Sequence, residues 1–183
     1  DLMSEVRKKK RYKELKEWVI AILIMAAAIF VIRSFIFGTV IVKGVSMEPT
    51  YYHGDLIAIN KLSYHFSSPE RGDIIVCDYG SIEEEKIIKR VIGLPGEVID
   101  FVPKDNGNYD VMVNGEILEE DYIKSEVEFY GDTEYPYTVP ENCYFVMGDN
   151  RNNSTDSRWQ SIGVIEKNNI EGKAFLKIWH FGR

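Results

Sequence analysis

The feature that most constrains this chain is an unbroken run of 15 apolar residues, Trp18–Ile32 (WVIAILIMAAAIFVI), lying directly behind a cationic cluster. Past Arg33 and Ser34 the run resumes through Phe35, Ile36 and Phe37. The total is about 20 residues, the length a helix needs at roughly 1.5 Å per residue to cross a hydrocarbon core. Its apolar side chains would fall on every face, unlike the single stripe of a helix packed on a globular core. Ala26, Ala27 and Ala28 lie in the middle of the run, and no small polar cleavage site closes it. The expected element is therefore an uncleaved transmembrane helix rather than a removable leader. Arg33 would lie about one turn from the outer boundary, where a long cationic side chain can reach the headgroups.

Residues 1–17 hold seven Lys/Arg against four acids, whereas the rest of the chain carries a net charge of -10. Cations ahead of a span place the N-terminus in the cytoplasm. The expected organisation is a basic cytoplasmic segment at 1–17, an anchor at 18–37 and an extracytoplasmic domain at 38–183, giving a single-pass protein of the cell membrane with the lipid bilayer as a partner. An acidic body excludes nucleic acid as a partner, because phosphate neutralisation needs clustered cations. Two cysteines, Cys77 and Cys143, and three scattered histidines, His53, His65 and His180, do not make a zinc site. Whether the two thiols pair is open from spacing alone.

Beyond residue 37 the chain reads as antiparallel β. Short segments rich in Val, Ile, Tyr and Phe recur as GTVIVKGV, DLIAIN, DIIVCDY, KIIKRVIG, EVIDFV, YDVMV, EIL, NCYFVMG and AFLKIW. Turn residues separate them, and Asn114-Gly115 between two apolar runs is a strong hairpin signal. Residues 103–138 are denser in Asp and Glu and read as a peripheral acidic β-subdomain.

Three polar clusters could carry chemistry. The first is GVSMEPT, residues 44–50, which sets Ser46 a few residues outside the apolar run. A serine needs a base to take its proton. No histidine stands at a spacing that favours a Ser-His arrangement, although a Ser-His hydrolase stays open on sequence alone. Lysine can serve if its amine is neutral, which requires burial or nearby cations to depress a pKa of about 10.4. In IIKRVIG the strand period puts Ile87, Lys89 and Val91 on one face, with Ile88, Arg90 and Ile92 on the other. Lys89 thus has apolar neighbours on its own side, although a Lys-Arg pair also suits an exposed edge strand. The third cluster, GDNRNNSTDSR at 148–158, has the composition of a loop held by its own side-chain hydrogen bonds. It fails as a calcium loop: counted from Asp149, the sixth position is Ser154 where Gly is needed and the twelfth is Gln160 where Glu is needed.

Taken together and in this order, VSMEPT, RGDIIV at 71–76, KRVIGLPGE at 89–97 and GDNRNNSTDSR resemble the bacterial type I signal peptidases, membrane-anchored serine endopeptidases with a Ser-Lys dyad. The resemblance implies a mainly β, antiparallel, barrel-like signal peptidase fold behind one transmembrane helix, and a chemistry needing no cofactor and no metal. It makes Ser46 the nucleophile, Lys89 the general base and Ser154 the hydroxyl that orients the lysine amine. Asp156 and Arg158 match a structural charged pair, with Asp149 as a second partner of Arg158. Met47 and Pro49 match the motif that shapes the nucleophile loop and binds substrate. Gly44 is a departure, because some members place a Ser there as a second oxyanion donor beside the backbone N–H of Ser46. The implied partners are preprotein signal peptides with A-x-A-like cleavage sites. With eight residues between Phe37 and Ser46, the nucleophile would lie within roughly 30 Å of the membrane edge. A repressor-like self-cleaving protease shares this chemistry but carries a DNA-binding domain where this chain has its apolar run. A non-enzymatic, membrane-anchored β-module would keep the hairpins and have no use for a desolvated lysine.

Overall fold

The computed structural model describes residues 2–32, 36–78 and 86–181, with side chains from residue 10 onward. It divides into two units, residues 1–37 and 38–183.

In the first unit α1 runs through Leu2–Val31. Its apolar portion is Trp18–Val31, 14 residues, or about 21 Å at 1.5 Å per residue against a hydrocarbon core of about 30 Å. Among the described residues no helix is long and apolar enough to cross a membrane. The expected transmembrane helix counted 20 residues by continuing through Arg33 and Ser34, which lie outside the described residues.

The second unit is mainly β. Its elements are β1 (Phe37–Ile41), β2 (Asp55–Asn60), α2 (Ser63–Phe66), β3 (Ile74–Asp78), β4 (Lys86–Gly93), β5 (Val98–Pro103), β6 (Tyr109–Val113), β7 (Glu116–Ile117), β8 (Tyr137–Thr138), β9 (Cys143–Met147), β10 (Ile165–Glu166) and β11 (Ile170–His180). Seven strands form one sheet in the order β1-β2-β11-β3-β4-β9-β10, and four form a second in the order β7-β6-β5-β8. Every β-run read from the sequence is present as a strand. Asn114 and Gly115 turn between β6 and β7 with φ of 53° and 86°, the paired positive values that a two-residue hairpin loop requires.

β4 positions the site. It lies between β3 and β9, with Lys89 opposite Ile75 and Arg90 opposite both Ile74 and Met147. The edge-strand reading of the Lys-Arg pair therefore gives way to a central strand, where both side chains are buried. Residues of β4 reach three cores. Val91 packs with Ile75, Cys77, Tyr144 and Val146, Ile88 packs with Met47, Ile57 and Val76, and Ile92 packs with Ile99, Phe145 and Met147 beneath the second sheet. Cys77 and Cys143 are free thiols in separate cores, so no disulfide joins them.

Candidate active site

Ser46 sits in the bend that follows β1, and the loop around it is tied on both sides. Met47 is buried in the core formed with Ile57 and Ile88, which fixes the residue after the serine. The carbonyl of Ser46 accepts from the Asn150 backbone N–H at 2.9 Å, and the Asn150 side-chain amide donates to Val45 O at 3.0 Å. On the other side Gly44, at φ 85°, gives its N–H to Nδ1 of His53 at 3.1 Å. Its N–H is therefore already engaged, while the Ser46 N–H has no protein partner among the described residues.

Lys89 reaches this loop from β4, and its Nζ lies 3.0 Å from Ser46 Oγ, in hydrogen-bond contact. The lysine is 5% exposed. Burial pushes the Lys89 amine below its usual pKa of 10.5; Asp156 and Cys77 pull the other way, and the Arg158 charge acts with burial. An amine so placed can be neutral while a hydroxyl lies against it, which is the condition for accepting that proton.

The loop after β9 backs the pair. Gly148 passes so close to Ser46 and Ser154 that a side chain built on it would overlap the Ser46 carbonyl oxygen and the Ser154 hydroxyl. Ser154 Oγ is buried without a hydrogen-bond partner among the described residues. It lies near enough to Asp156 to favour the carboxylate without forming a bond to it. Asp156 is fully buried, and burial alone would raise its pKa. The Arg158 guanidinium, through Nε at 2.8 Å and an Nη at 2.9 Å, and the Gly148 N–H at 3.0 Å hold it below the usual carboxylate range instead.

Asp149 is not a partner of Arg158. It takes the guanidinium of Arg90, with Nε to Oδ1 at 2.8 Å and Nη2 to Oδ2 at 2.6 Å. The two aspartates therefore belong to two separate ion pairs. Alternation on β4 explains this: Arg90 faces away from Lys89 and meets the residue that the β9 loop delivers on that side. Arg151 is a third buried guanidinium beside Arg90 and Arg158, which residue-type reading passed over. Its Nε donates to Gly148 O at 2.9 Å, and its two Nη groups meet Glu120 at 2.6 and 2.5 Å. Asn150 was missed as well. The signal for both was the uncommon polarity of the segment directly after an apolar strand.

A groove of about 700 Å³ opens between residues 39–43 and the start of β4 at Lys86–Lys89. Ser46 and Met47 line it, and Pro49 is exposed and outside that lining. Among the histidines, His53 holds Gly44, His65 contacts Lys61 O, and His180 lies 2.6 Å from the Asp55 carboxylate; none bonds to Ser46. What the arrangement offers is a hydroxyl, a desolvated amine and an open groove beside them.

The chain matches the family described as signal peptidase, peptidase S26, over residues 15–179. It is 36% identical over 174 residues to "Signal peptidase I P" of Bacillus subtilis subsp. natto, covering 91% of this chain and 90% of that protein. It is 31% identical over 184 residues to "Signal peptidase IB" of Staphylococcus aureus, covering 92% of each. A crystal structure of a signal peptidase I from Enterococcus faecalis aligns with a TM-score of 0.47 at 35% sequence identity, covering 58% of this chain and 97% of that one.

Proposed function

This chain belongs to the signal peptidase family, peptidase S26, and on that premise we propose that Ser46 and Lys89 are the nucleophile and general base with which it removes signal peptides from preproteins. Its activity is that of a signal peptidase I, a serine endopeptidase. The observation that carries the assignment is the 3.0 Å contact between Lys89 Nζ and Ser46 Oγ. Neutral Lys89 takes the hydroxyl proton as Ser46 Oγ attacks the carbonyl at the end of the signal sequence. The protonated amine then gives that proton to the departing amine of the mature chain, leaving an acyl-enzyme. Water, deprotonated by the same lysine, hydrolyses the ester.

The remaining roles follow from what each group has left to offer. The uncommitted N–H of Ser46 is our candidate oxyanion donor, and Gly44 is assigned no such role because His53 already holds its N–H. Ser154 has a buried hydroxyl with no other bond and is assigned to orienting the Lys89 amine. Asp156 and Arg158 hold the loop that carries Ser154, Asp149 fixes the neighbouring turn through Arg90, and Met47 anchors the nucleophile loop from the core. Pro49 shapes the outer part of that loop. The groove receives the signal-peptide side of the substrate in extended form, as a strand beside residues 39–43, with Ala-like side chains at alternate positions.

We read residues 18–37 as the membrane anchor, with residues 1–17 cytoplasmic and 38–183 extracytoplasmic. Support comes from the continuity of α1 across the basic cluster and the apolar stretch, and from the exposure of Ile22, Leu23, Ile24 and Phe30 along it.

The test incubates the detergent-solubilised full chain with a preprotein and compares wild type with Ser46→Ala and Lys89→Met. Wild type should release the mature protein, and both variants should lose at least a thousandfold in rate. A Lys89→Met protein of native fold that still processes the preprotein ends the dyad assignment.

A further inference from the structure

The lining of the groove differs in charge from the acidic protein that carries it. Its lining includes Lys43, Lys86 and Lys89, and among the described residues no Asp or Glu lines it, although the chain as a whole carries a net charge of -7. The three lysines are not equivalent. Lys89 is buried against Ser46. Lys86 is tied to Glu171 at 2.5 Å, and that carboxylate also holds Lys61 at 3.3 Å. Glu83, Glu84 and Glu85, which precede Lys86 in sequence, lie outside the described residues. Lys43 is exposed and has no ion-pair partner among the described residues.

Val42 packs with Met47 and Ile57, and Lys43, the exposed residue after it, lines the groove as well. It stands three residues before Ser46 and lines the same groove. A peptide lying there with its scissile carbonyl at Ser46 carries the side chains just before the cleaved bond past Lys43. We infer that Lys43 is a specificity-determining residue: it favours an acidic side chain at the second or fourth residue before the cleaved bond and disfavours a basic one there.

This inference rests on the dyad and on the signal-peptide side of the substrate lying in the groove. Lys43 touches none of the reacting atoms, so its effect belongs to the recognition of one side chain. An exposed pair of this kind is screened by salt.

The test is a set of peptide substrates identical except for Glu, Gln or Lys placed singly at the second or fourth residue before the cleaved bond. Each is assayed with the full-length detergent-solubilised enzyme. Wild type should show a kcat/KM about two- to fivefold higher for Glu than for Gln at one of these positions, and lower for Lys by a similar factor. The Glu:Gln ratio should fall to about one in Lys43→Gln, and the order should invert in Lys43→Glu. In wild type the preference should also fade as salt rises toward 0.5 M, a reading that depends on no variant. A wild-type enzyme that cleaves all the peptides without charge preference overturns the role of Lys43 and leaves the dyad standing, as does a preference that persists unchanged in Lys43→Gln. Failure to cleave any peptide or preprotein overturns both.

Discussion

The Arg90 guanidinium grips both carboxylate oxygens of Asp149, at 2.8 and 2.6 Å, from the face of β4 opposite Lys89. Two neighbouring residues of one strand thus serve the two sides of the same loop. Lys89 meets the nucleophile, and Arg90 locks the turn that carries Asn150 onto Ser46. Arg90 also donates to Gly72 O at 2.9 Å and lies 3.9 Å from the centre of the Tyr122 ring. The pair is nearly dry, with Asp149 side chain 0% and Arg90 11% exposed. Removing one partner strands the other as a buried charge, so Asp149→Ala is expected to lower unfolding free energy by about 3–5 kcal/mol. Denaturant titration checks this. An Asp149→Leu, Arg90→Met double variant should recover part of the loss, because neither charge is then left unpaired.

Activity should climb with pH. Burial is the main force lowering the pKa of the Lys89 amine from 10.5, and the amine works only when unprotonated. As pH falls through that depressed value, kcat is expected to drop tenfold per unit. A single acid limb in kcat, set below 10.5, is the expected profile; a limb at 10.5 or above would mean that the amine stays solvated during the reaction.

The Asp156 carboxyl predicts an acid limit to stability. The folded protein holds it below the ordinary value of 3.8, so below 3.8 the unfolded chain binds the proton more readily. The stabilisation is complete above 3.8 and is lost as pH falls through 3.8 toward the lower folded value. Melting temperature followed between pH 6 and 2 should fall more steeply in this range for wild type than for Asp156→Asn.

The sequence made the strands legible wherever they bury one face, because alternation and turn residues are local signals. The split of Lys89 from Arg90 follows from that alternation, and the register with β3 and β9 keeps it. The partner of Asp149 was not legible. Asp149 and Arg158 share a loop, while Arg90 is 59 residues away in the chain and meets Asp149 only through the pairing of β4 with β9. The two-residue strands β8 and β10 are too short to carry a period at all. For the N-terminal segment, the apolar length counted from the sequence runs across Arg33 and Ser34, which lie outside the described residues.

Gly148 is required by space. Its backbone passes between the Ser46 carbonyl and the Ser154 hydroxyl, and a methyl group there would overlap both. Backbone on one side cannot swing away as a flexible side chain could, so Gly148→Ala must shift the loop that positions Ser46. Since a displacement of about 1 Å at a reacting group can cost on the order of a hundredfold in rate, kcat should fall by that order. Single-turnover cleavage checks this, with circular dichroism showing that the sheets remain.

Ser154 separates orientation from proton transfer. Its hydroxyl is buried with no bond of its own, so its loss removes no existing hydrogen bond and leaves a hole smaller than a methyl group. Ser154→Ala should therefore cost less than about 1 kcal/mol in stability. If the hydroxyl turns to the Lys89 amine during the reaction, the same change should lower kcat by about ten- to a hundredfold while KM stays within about twofold, the pattern of an interaction made only in the transition state. Ser154→Thr, which restores a hydroxyl, should regain part of the rate. Unchanged kcat in Ser154→Ala would show that burial and the Ser46 contact alone orient the amine, and the role would pass to the backbone around Gly148.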